Sequence, residues 1–105
     1  MRVVLLSCLM LLAACQGRPM LPPPAPLAPL GHEHADLGRI VDLASGRTID
    51  PEQLLDRLAR AERVLVGEQH DNPDHHALQL WLLRELSRLR PQGSVLMEML
   101  NPDQQ

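Results

Sequence analysis

A chain of 105 residues with 10 Lys and Arg against 13 Asp and Glu carries a formal charge of −3, which leaves room for one small domain and excludes the basic surface that nucleic-acid binding requires. Its two cysteines, Cys8 and Cys15, both precede the globular part. No disulfide and no thiolate metal site is therefore expected inside the fold, and any metal or cofactor must be held by His, carboxylate or other residues.

The chain begins like an exported protein. Arg2 is a short positive region and the apolar stretch Val3 to Leu12 is too short to span a bilayer. Leu12-Ala13-Ala14-Cys15 then has the form of a bacterial lipobox. Residues 1–14 are read as a lipoprotein signal peptide, with Cys15 as the lipidated first residue of the mature protein, carrying acyl chains such as palmitate. Gln16 rather than an aspartate follows it, which fits an outer-membrane destination with the protein facing the periplasm. A plain secretory signal with an incidental cysteine is the alternative. Residues 15–36 form a linker in which Pro19 to Leu30 holds six prolines and no charge. Such a tract stays extended at roughly 3 Å per residue, a stalk on the order of 35 Å. His32-Glu33-His34, at its end, is discounted as a metal site.

From residue 37 to residue 105 the composition is that of a folded domain. Arg39 to Leu43, a turn at Ala44-Ser45-Gly46-Arg47 and Thr48-Ile49 predict a short hairpin. Asp50-Pro51-Glu52 reads as an N-cap, a proline in the first helical turn and an early acid, opening a helix through Ala61. Asn72-Pro73-Asp74 repeats that signal for a helix through Leu89, and Asn101-Pro102-Asp103-Gln104 begins a third, so the domain is expected to continue past Gln105. Two nearly continuous apolar runs, Arg63 to Gly67 and Val95 to Met99, flank the long helix. The expected fold class is α/β: a parallel-sheet βαβ core, a partial domain, preceded by the hairpin and the first helix.

In such sheets ligands bind beyond the carboxyl ends of the strands, which is where Glu68, Gln69, His70 and Glu98 fall. Helical arithmetic places His75 at the head of a stripe formed by Leu78, Leu82, Leu86 and Leu89, with Gln79 beside it. His76 is turned about 100° away, toward solvent or a sideways packing. Trp81 lies off the stripe and is read as a packing residue. Glu68, His70, His75 and Glu98 suit a divalent metal or an acid–base pair around a substrate. The same residues also suit hydrogen bonds that merely tie strand–helix loops together, so spacing alone leaves enzyme, binding protein and structural roles open.

The pattern Val64-Leu65-Val66-Gly67-Glu68-Gln69-His70-Asp71-Asn72-Pro73, followed by His75-His76 and Gln79 and then by Val95-Leu96-Met97-Glu98-Met99, closely resembles the N-terminal part of the ChaN-like haem-binding lipoproteins of the Tiki and TraB group. The resemblance runs from about Gly38 to Gln105. It implies an outer-membrane lipoprotein that binds haem in haem and iron uptake, with a haem-uptake receptor as partner and a homodimer enclosing the porphyrin. His70, His75, Gln79 and Glu98 are then the candidate cofactor-binding residues. Relatives in the Tiki group imply the alternative, a metal-dependent hydrolase of the bacterial envelope with Glu68, His70 and Glu98 as metal ligands and catalytic residues. Ligation of haem by tyrosine has no residue to rest on here, because the sequence contains none.

Overall fold

A computed structural model of the chain describes residues 19–90 and 93–98. The signal peptide, Cys15 and the third helix signal lie outside the described residues. Within them the protein is a mixed α/β arrangement of one hairpin and two helices. Strand β1 (Ile40–Asp42) pairs antiparallel with β2 (Arg47–Ile49) in the register Ile40 with Ile49 and Asp42 with Arg47. Gly46, at φ 69°, supplies the left-handed residue that closes the loop, and its N–H donates to the Asp42 carbonyl at 2.7 Å.

Helix α1 (Pro51–Arg60) starts where the sequence predicts. The Asp50 side chain accepts from the Gln53 N–H at 2.8 Å, and the Gln53 side chain accepts from the Asp50 N–H at 3.1 Å, a reciprocal capping box. Helix α2 (Pro73–Leu89) has the expected bounds, capped by Asn72, whose side chain accepts from the Asp74 N–H at 2.9 Å. The helices pack together, with Leu55 of α1 buried. Arg90, just past α2, donates to the carbonyl of Ala61 at 2.6 Å, placing a cation on the C-terminal end of α1.

One expectation is not shown and a second is corrected. The runs Arg63 to Gly67 and Val95 to Met99 form no parallel pair among the described residues: the pairing present is that of β1 with β2, and Leu65 and Leu96 are almost fully exposed. The hairpin closes a four-residue loop, whereas the parallel pair must enclose a whole crossover before any ladder bond forms. The buried stripe of α2 is also shifted. Trp81 and Glu85 are buried, while Leu78 and Leu89 of the expected stripe are exposed. The cause is the proline tract, which does not stand clear as a stalk but lies along α2. The Trp81 Nε1–H donates to the Leu21 carbonyl at 2.8 Å, and the Asp74 carboxylate accepts from the N–H groups of Leu27 and Ala28.

Candidate functional site

The run Val64 to Gly67 leads directly into a turn that α2 holds in place. The Asn72 N–H donates to the Gln69 carbonyl at 3.0 Å, which reverses the chain into the helix. Two histidines in the first turn of α2 then grip this turn from the other side. His75 Nδ1 accepts from the Gln69 N–H at 2.8 Å, and His76 Nε2 donates to the His70 carbonyl at 2.8 Å. Backbone and helix therefore fix residues 69–71 together, and the side chains of Glu68 and His70 emerge from a constrained frame.

These two side chains meet. His70 Nδ1 donates to Glu68 Oε1 at 2.7 Å, with the imidazole 56% exposed and the carboxylate 15%. That hydrogen bond is the main reason the Glu68 carboxyl is held below its ordinary range, with the charges of His76 and His70 and a hydrogen bond from Gln79 adding to it against desolvation. The same bond and the Glu68 charge raise the His70 pKa, and Glu98 and Asp71 contribute through space. Glu98, exposed at the end of the second apolar run, thus stands close enough for its charge to act on His70.

Hydrogen-bond logic assigns the three rings different tasks. A backbone N–H can only donate, so His75 Nδ1 is bare and its Nε2 carries the proton in the neutral ring, which makes His75 a holder of the turn rather than a ligand. A carbonyl can only accept, so His76 Nε2 carries a proton, and its Nδ1 lies 3.3 Å from Glu68 Oε2, an ion pair whenever that nitrogen is protonated as well. Glu68 Oε2 is buried and accepts no hydrogen bond. An ionised Glu68 can only accept, so His70 Nδ1 carries the proton and its Nε2 lone pair faces outward from an exposed ring. A histidine whose far nitrogen is held by a carboxylate is the usual form of a metal-ligating imidazole.

Of the residues singled out in the sequence, Glu68, His70 and Gln79 come together, Glu98 is electrostatically coupled to them, and His75 serves the backbone. His76 is the residue that spacing did not select. Its signal was present in the six-residue separation from His70 across a helix start, but a stripe argument looks only along the helix face. His34 accepts from the Asp36 N–H at 3.1 Å within its own turn. Among the described residues no group of three or more His, Cys, Asp or Glu side chains is arranged to hold a metal ion. Beside the site lies an apolar cavity of about 360 Å³ bordered by His75 and Gln79 of α2, by Val66 and Gly67, and by prolines of the tract.

Residues 54–105 match the sequence model of a family described as haem-binding uptake, Tiki superfamily, ChaN. The span takes in α1 from Leu54 onward, the Glu68–His70 turn, α2 and the run containing Glu98, so the resemblance read from those motifs holds over it. No curated protein and no solved structure matches the chain.

Proposed function

We propose, on the match of residues 54–105 to the haem-binding uptake family, that this protein binds haem during haem and iron uptake. That match is the observation that carries the reading. The Glu68–His70 pair supports it at the level of residues: an exposed imidazole with its Nδ1–H fixed by a carboxylate fits the side chain needed to reach a porphyrin iron. His75 and His76 hold the turn, and the charge of Glu98 acts on His70. Haem is cargo in this reading, so the protein's task is to bind, orient and release it.

The finer parts of the proposal follow from the same frame. Leu65, Val66, Val95, Leu96 and Met97 are exposed on extended chain whose backbone groups lie outside any ladder among the described residues. Apolar side chains on unpaired backbone are what a buried parallel strand looks like before its neighbours are in place, so the two runs are proposed to pair as the βαβ core. Slow hydrogen exchange at the amides of residues 64–66 and 95–97 would support this pairing, and fast exchange there would exclude it. The lipobox supports an outer-membrane lipoprotein anchored through Cys15, facing the periplasm, from which a haem-uptake receptor or a second copy of the chain is reached. A Cys15→Ser variant should move to the soluble periplasmic fraction; continued fractionation with membranes would place the anchor elsewhere.

Titrating haemin into the purified protein tests the central reading. A saturable shift of the Soret band at micromolar protein is expected. Its absence, together with saturable binding of a divalent cation, would favour the metal-dependent hydrolase built on Glu68, His70 and Glu98.

A further inference from the structure

The proline tract and α2 fit each other along their lengths. The anchors are Arg88 to the Pro19 carbonyl at 3.3 Å, Trp81 Nε1–H to the Leu21 carbonyl at 2.8 Å, and the Asp74 carboxylate to the N–H groups of Leu27 and Ala28. Sequence order runs up in the tract as it runs down in the helix, so the two lie antiparallel. From Asp74 to Arg88 the helix rises about 21 Å at 1.5 Å per residue. From Pro19 to Leu27 a polyproline II strand rises about 25 Å at 3.1 Å per residue. The end-to-end spans agree within about 4 Å, the longer reach of Arg88 and the extended run between Leu21 and Leu27 taking up the unequal halves, and the anchor side chains at positions 74, 81 and 88 recur every seven residues on one face of α2.

The chemistry of the contact is that of polyproline recognition. A polyproline II segment has no internal hydrogen bonds, so its carbonyls are open to donors such as an indole N–H, and its prolines present a stiff apolar surface to an aromatic ring. Trp81 is only 6% exposed although its helix neighbours Leu80 and Leu83 are exposed, and Pro22 and Pro24 lie beside it. Pro23, Pro24 and Pro26 also form one wall of the apolar cavity whose other walls include Leu54, Val66 and Leu78.

We infer that the Asp74–Trp81–Arg88 face of α2 is a polyproline-binding groove, that its occupant is this chain's own 19–28 segment, and that the segment is a removable wall over the cavity beside the candidate site. The tract is thereby a strap as well as a linker: with it seated the cavity is closed on that side, and with it released Trp81 and the cavity open to solvent. This inference does not rest on the haem reading.

Trp81 is the single tryptophan of the chain, and with no tyrosine present its fluorescence reports the strap directly. In the full chain, the combined Pro22→Ser, Pro23→Ser and Pro24→Ser variant should show a red-shifted emission and a severalfold larger acrylamide quenching constant, with the far-UV helical signal retained. A synthetic peptide of residues 19–28 added to that variant should reverse both changes saturably. Emission and quenching equal to wild type would overturn the inference, as would a failure of the peptide to restore them in a helical variant. Should the triple variant lose its helical signal, Asp74→Asn, which weakens only the anchor at the far end of the strap, decides by the same two readouts.

Discussion

Asp42 and Glu68 are both carboxylates that end an extended run, and both are held below their ordinary pKa, yet their surroundings differ in kind. Asp42 accepts from the Ser45 hydroxyl at 2.7 Å and the Ala44 N–H at 3.1 Å, and pairs with Arg57 at 3.0 Å. None of those partners titrates near neutral pH. Glu68 is surrounded instead by His70, His76 and Gln79, and one of its oxygens is buried without a donor. Asp42 is satisfied by groups whose protonation never changes, which is what a hairpin end needs. Glu68 is held chiefly by His70, an imidazole that exchanges a proton and whose pKa Glu68 raises, which is what a binding site needs.

The sharpest way to break this contrast is to remove the imidazole that distinguishes the two. His70→Ala takes away the outward-facing nitrogen and should weaken haemin binding by more than the roughly 10- to 100-fold typical of losing an outer partner of a metal ligand. Isothermal titration with haemin would measure it. Unchanged affinity, in a variant with wild-type melting, would make the Glu68–His70 pair structural and equate it with Asp42.

Glu68→Gln probes the same pair more gently. Ligation needs a bare His70 Nε2, so binding should weaken as pH falls through the raised His70 pKa. The Glu68 hydrogen bond is the largest cause of that elevation, and Gln removes its charge. The acidic limb of the binding curve should therefore move to lower pH in the variant, while affinity well above the limb falls by about 10-fold as the ring loses its orienting carboxylate. In wild type the pair stabilises the fold only between the lowered Glu68 pKa and the raised His70 pKa. The contribution is lost as pH falls through the first and as it rises through the second. A limb that stays in place in Glu68→Gln would show that Glu68 does not govern His70.

What the sequence made legible follows the reach of the interactions. The hairpin, the N-cap at Asp50 and the bounds of α2 are set by contacts within a few residues, and all were readable from Gly46, Asp50, Pro51, Asn72 and Pro73. The Glu68–His70 contact was readable for the same reason, being two residues apart. The seat of the proline tract was not, because Leu21 and Trp81 are 60 residues apart and a proline run signals shape without naming a surface. Nor was the pairing of the two apolar runs settled, since periodicity gives a strand its character and leaves its neighbour unspecified. His76 escaped because its partner is a carbonyl and a carboxylate across the turn, a geometry that helical stripes do not encode.

The smallest expected effect lies on the other side of the comparison. Asp42 is pushed down to about 2, first by the Ser45 hydroxyl and then by Arg57, and a carboxylate with a lowered pKa adds stability above its unfolded value of 3.8 that disappears as pH falls toward the folded one. Asp42→Ala should therefore lower the melting temperature modestly at neutral pH, where that stability is fully present but is screened by solvent at this exposed pair, and should flatten the acid dependence of melting between pH 3.8 and about 2. Ser45→Ala, removing the largest cause, should reproduce much of that flattening. Haemin affinity at neutral pH should be untouched in both variants, because the partners of Asp42 are Ala44, Ser45 and Arg57 and none of these bonds runs to the Glu68 turn. A drop in haemin affinity in either variant would mean that the hairpin and the candidate site are coupled, and the division between a satisfied carboxylate and a poised one would fail.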